Sequence, residues 1–115
     1  MSNEVLNPVD IEHAIRECSD RIHKGVSVVS NLEAVARKAR RDYDAAYARA
    51  YMSHKGPAHE KRYGATLETT AELEKADEAE VAFKYAERQA RALAEELRSW
   101  QSVGASVRMM YGAQR

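Results

Sequence analysis

Stepping alternately by four and three from Ile11, the sequence reads Ile15, Cys18, Ile22, Gly25, Val29, Leu32, Ala36, Ala39, Tyr43, Ala46 and Ala50, and only Gly25 interrupts the apolar run. Side chains repeating every 3.5 positions stay on one stripe of a slightly underwound helix, and such a stripe is stable only against another helix. The first half of the chain is therefore built to lie along a partner. A second seam in the same steps runs through Ala76, Ala79, Phe83, Ala86, Ala90, Leu93, Leu97, Trp100, Gly104 and Val107.

The punctuation between the seams predicts how they meet. Asn7-Pro8 reads as a helix entry, because Asn caps a helix well and Pro suits a first turn, with Asp10 and Glu12 near the positive end. No proline follows until His54-Lys55-Gly56-Pro57, where Gly can take the left-handed cap and Pro can open a new helix. These signals predict helix one over about 8–53, a turn at 54–57 and helix two over about 58–111, forming one domain over 1–115. The fold class is all-α, a long antiparallel helical hairpin of coiled-coil character. A bend or break is expected near Gly25, which sits beside the β-branched Val26, Val28 and Val29, or between Gly64 and Thr70, where Gly64, Thr66, Thr69 and Thr70 are modest helix formers and Leu67 leaves the later register, or at both. Residues 112–115 read as a fraying tail.

With 115 residues, 31% of them charged, and a mean hydropathy of -0.64, the chain offers no apolar stretch long enough to span a bilayer. Met1 to Asp10 is polar and acidic, unlike a secretory leader, so the expected location is the cytoplasm. Cys18 is the single cysteine and lies on the seam, which predicts a buried, reduced thiol. Eighteen basic and eighteen acidic residues cancel, but they are unevenly placed. Arg37, Lys38, Arg40 and Arg41 form a basic block, and Glu72, Glu74, Asp77, Glu78 and Glu80 an acidic one. Reversal near Gly56 brings residue 40 opposite about residue 72, so charge pairing across the hairpin is expected to help choose the register.

Catalytic signals are absent from the sequence. His54 and His59 lie five apart rather than at helical ligand spacing, with no further ligand to complete a set, and read as solvated turn histidines; no metal or cofactor is expected. The carboxylates lack a shaped pocket in which a hairpin could hold one for acid or base work, and there is no phosphate loop or nucleophile elbow. An enzyme is not expected. Nucleic-acid contact is a second reading, through Arg37, Lys38, Arg40, Arg41 and Arg49 interleaved with Tyr43, Tyr47 and Tyr51, together with Lys61 and Arg62, and with a sparser row of Arg88, Arg91, Arg98 and Arg108.

At the open end, Trp100, Val103, Val107, Met109, Met110 and Tyr111 are expected near Val9, Ile11 and Ile15. A two-helix hairpin cannot cover both sides of such residues, so they predict a homo-oligomer or protein-partner interface. Ala36, Ala39, Ala46 and Ala50, facing Ala76 and Ala79, permit close helix approach nearer the turn.

The small secreted hairpins with a Trp-X-Gly turn do not fit, since the turn here is Lys55-Gly56-Pro57 and Trp100 lies near the other end. The chain is similar instead to small α-helical early-region proteins of bacteriophages, chiefly those of actinobacterial hosts. The resemblance rests on Arg41-Asp-Tyr-Asp-Ala-Ala-Tyr-Ala-Arg-Ala-Tyr51, on Lys55-Gly56 with Glu60-Lys61-Arg62, and on Ala90-Arg-Ala-Leu-Ala-Glu-Glu-Leu-Arg-Ser-Trp-Gln-Ser-Val-Gly-Ala-Ser-Val-Arg108. It covers roughly residues 40–108. It implies a non-enzymatic accessory protein of the host cytoplasm that binds a protein of DNA recombination or replication, and it transfers no catalytic residue. Direct single-stranded DNA binding and a structural role in assembly or the virion are the alternatives.

Overall fold

The computed structural model describes residues 7–113, which form an all-α antiparallel hairpin of three helices: α1 (Pro8–Ser53), α2 (Ala58–Glu68) and α3 (Thr70–Ala113). Asn7 caps α1 as expected, its Oδ1 accepting the Asp10 backbone N–H at 2.9 Å. At the other end the Ser53 hydroxyl donates to the Ala50 carbonyl, and Gly56 takes a φ of 119° that only glycine adopts without strain. Pro57, extended at ψ 157°, then caps α2 and accepts the Glu60 and Lys61 amides through its carbonyl.

The expected break at Gly25 is absent. α1 runs unbroken through it, because one glycine costs a helix only about 1 kcal/mol and the flanking seam positions are covered on both sides. The second expected break does occur, at Thr69 (φ -109°, ψ 19°), and its cause is threonine rather than Gly64. Thr66 Oγ1 donates to the Arg62 carbonyl at 2.8 Å, Thr69 Oγ1 to Ala65 at 2.7 Å, and Thr70 Oγ1 to Thr66 at 3.1 Å. Hydroxyls that bond back to the preceding turn compete with the backbone amides for those carbonyls and bend a helix. The backbone still bridges the irregularity, with Thr69 N–H donating to Ala65 and Leu73 N–H to Thr69. α3 reaches Ala113, two residues beyond the expected end, and residues 114–115 of the expected tail lie outside the described residues.

Every predicted seam position, on both halves of the hairpin, is buried or half-buried. The second seam also extends backward in unbroken heptad steps through Glu72, Thr69 and Ala65, where polar residues hide it from a hydrophobic reading.

Contacts divide the chain into two units, one built from residues 7–27 and 88–113 and the other from Val28–Glu87. In the first, Gly104 leaves room for isoleucine: a methyl group on it would lie 3.2 Å from Ile11 Cγ2 and 3.7 Å from Ile15 Cδ1. Cys18 Sγ donates to the Leu93 carbonyl at 3.3 Å, tying α1 to α3. In the second, Ala46 and Ala50 share a hollow with Thr69 and Glu72 rather than with the expected Ala76 and Ala79, and Lys75 acts electrostatically on Asp42.

The charge blocks do not meet as expected. Among the described residues, Arg37 pairs with Glu33 at 2.9 Å, Lys38 with Asp42 at 2.7 Å and Arg40 with Asp44 at 3.5 Å, all one turn apart on α1. A carboxylate four residues away on the same helix is reached without ordering a second element, which favours it over a cross-hairpin partner.

The two glycines predict opposite responses. Gly25→Ala meets nothing within 4 Å and should raise stability by about 1 kcal/mol. Gly104→Leu should lower it by about 1 to 3 kcal/mol by forcing Ile11 and Ile15 aside. Urea denaturation of both variants measures this, and a neutral Gly104→Leu would contradict the packing described.

Candidate interaction surface

Only a few large side chains are fully enclosed. Among the described residues the buried apolar set is Ile11, Cys18 and Val107 together with Ala36, Ala39, Ala50, Ala65, Ala76 and Ala86. Alanines allow helices to approach closely but remove little apolar area from water. Large apolar residues meanwhile remain outside, among them Leu67 and Met52 (each 79% exposed), Met109 (76%), Val9 (73%) and Val81 (64%).

The expected interface at the open end divides accordingly. Ile11 and Val107 are buried by the chain's own helices, and Ile15, Trp100 and Val103 are half-buried against them. Val9, Met109, Met110 and Tyr111 stay exposed and are the part available to a partner. Arg98 and Arg108 are exposed on the same stretch of α3, and from 97 to 113 the sequence contains no carboxylate.

In the other unit the basic block lies on the exposed side of α1, its charges largely answered by Glu33, Asp42 and Asp44. The hydrogen bond from Lys38 is the main cause that holds the Asp42 carboxyl below its usual range. Beside this block stand Tyr43, Tyr47 and Tyr51, one turn apart, with ring centroids 6.2 Å and 6.4 Å apart along the column. Arg40 lies 5.3 Å over the Tyr43 ring, and Lys61, from α2, lies 5.5 Å over Tyr51. The rings thus face one another and these two cations, which leaves the column half-buried rather than splayed to receive bases. Arg41 and Arg62 are exposed nearby.

One surface of this unit escaped the sequence reading. Thr70, Leu73, Glu74, Asp77, Glu78 and Val81 line a shallow, open hollow along one face of α3, with apolar side chains set among carboxylates. Its signal in the sequence is Leu73 and Val81, apolar residues that lie off the second seam among the carboxylates of the acidic block.

His59 is exposed as expected, and His54 is half-buried, its side chain 39% exposed. Its ring sits against Gly64, where a methyl group would approach Cε1 to 2.7 Å and Nδ1 to 2.8 Å, and Nε2 is 3.1 Å from Glu68 Oε2. Gly64 therefore serves the turn by admitting the ring. Cys18 is buried as expected, and burial, followed by the Glu96 carboxylate, raises its thiol above the ordinary range. Among the described residues no helix is long and apolar enough to cross a membrane.

No family model matches the chain, and no curated protein or solved structure matches it.

Two measurements check this local chemistry. With His54 present, Gly64→Ala should cost about 1 to 3 kcal/mol through overpacking; in a His54→Ala background it should instead gain about 1 kcal/mol from helix propensity, a sign reversal read by a double-mutant cycle. For Cys18, the unfolded chain releases the thiol proton first, so its contribution is fully present below the ordinary thiol range of about pH 8.5 and is lost as pH rises beyond it. Wild type should therefore lose stability between about pH 8 and 10 relative to Cys18→Ala. Parallel urea midpoints across that range would refute this.

Proposed function

We propose that this chain is a non-enzymatic helical interaction protein that self-associates and docks onto a protein partner. The observation that carries the proposal is surface. The chain leaves 9020 Å² accessible, against about 6,300 Å² for a typical folded monomer of 12.9 kDa. That excess includes apolar side chains on both units, and exposed apolar patches of this kind mark sites of association. The resemblance to phage early-region proteins supports a partner from DNA recombination or replication and a role as an accessory factor. Direct single-stranded DNA binding through Arg37, Lys38, Arg40, Arg41, Lys61 and Arg62 is less well supported, because the first three hold carboxylates, and Arg40 and Lys61 rest on tyrosine rings.

Light scattering of the purified chain across a concentration series should give a mass above the monomer, and a strictly monomeric mass would overturn self-association. In a titration with single-stranded DNA, an adaptor binds poorly at any salt concentration. A direct binder instead shows a log-log salt slope of about -0.7 per phosphate neutralised, and that slope would replace the adaptor reading.

A further inference from the structure

The hollow on α3 has a chemistry of its own. Leu73 and Val81 supply its apolar part and Glu74, Asp77 and Glu78 its rim, with Thr70 at one end. Among the described residues none of these three carboxylates takes part in an ion pair. The single cation of the stretch 72–80 is Lys75, which acts on Asp42. An apolar hollow with an uncompensated anionic rim favours a segment that brings apolar side chains and cations and no carboxylate.

One segment of the same protein has that composition. Residues 97–113 carry Arg98 and Arg108 as their only charges, and Met109, Met110 and Tyr111 are exposed at 76%, 62% and 46%. Methionine is unbranched and flexible, so it fills irregular apolar hollows well. We propose that the C-terminal part of α3 of one copy docks into the 70–81 hollow of a second copy, with Met109 against Leu73 and Val81 and the arginines, which share its side of the helix, against Glu74, Asp77 and Glu78. The contact rests on the self-association reading and names its surfaces. Each copy offers both halves of this contact.

The test uses two full-length variants and their mixture, followed by sedimentation or light scattering, with helicity by circular dichroism showing that each is folded. Glu74→Lys, Asp77→Lys and Glu78→Lys together place lysines against the arginines of the tail. Arg98→Glu and Arg108→Glu place glutamates against the acidic rim. Each variant alone should associate at least about tenfold more weakly than wild type, through like charges across the contact. The equimolar mixture should recover association, because lysine then meets glutamate and the native rim meets the native arginines. Wild-type affinity in both folded variants, or a mixture no stronger than its components, overturns this contact while leaving self-association intact. A monomeric wild type overturns both.

Discussion

Each helix of a two-helix layer can bury a single stripe, and that limit organises this molecule. The stripe must hold the hairpin together along two long helices, and everything off it must either be polar or find another molecule. Matching of large to small residues makes the stripe sufficient. Gly104 admits Ile11 and Ile15. In the same unit Cys18 lies level with Leu93, its thiol donating to that residue's carbonyl. A fit of this kind fixes the register through volume, a stronger constraint than exposed ion pairs supply.

That hierarchy explains what could be read from the residues. The bounds of α1 follow from Asn7-Pro8 and from the turn at Gly56-Pro57, whose backbone requirements few residues satisfy. Both seams were legible wherever they are apolar. The reading failed where a residue type has competing uses. Gly25 suggested a break, but a glycine inside a long, well-covered helix costs little against the whole. The break expected between Gly64 and Thr70 does occur, at Thr69 among hydroxyls bonding backward, while Gly64 itself seats the His54 ring. Neither the His54 contact nor the threonine bonds can be inferred from spacing alone, since each depends on which of several nearby acceptors or neighbours wins.

The charge blocks make the same point about the candidate surface. Sequence placed opposite charges side by side, but Arg37, Lys38 and Arg40 each found a carboxylate one turn away on their own helix. The acidic block was thereby left without those partners, around a hollow whose apolar residues lie off the seam. Its role in association emerges only once the local pairs of α1 are known.

The part of the seam nearest the turn differs from the rest in kind. Thr69 is buried with its hydroxyl satisfied, but Glu72 Oε2 is buried without a hydrogen-bond partner in the protein, beside Ala46 and Ala50. A buried acceptor left unpaired costs about 1 to 3 kcal/mol, and alanines return little through area. The seam there therefore contributes little to holding α1 against α3. The turn compensates, through the Gly56 backbone, the His54 ring on Gly64 and its bond to Glu68. Within this unit, then, the chain reversal does the holding near Gly56, and only from Ala76 onward does the seam again consist of apolar residues in every layer. A helix pair pinned by its turn and weakly packed beside it leaves the outer face of α3 unsupported by a deep core, and that is the face that carries the acidic hollow.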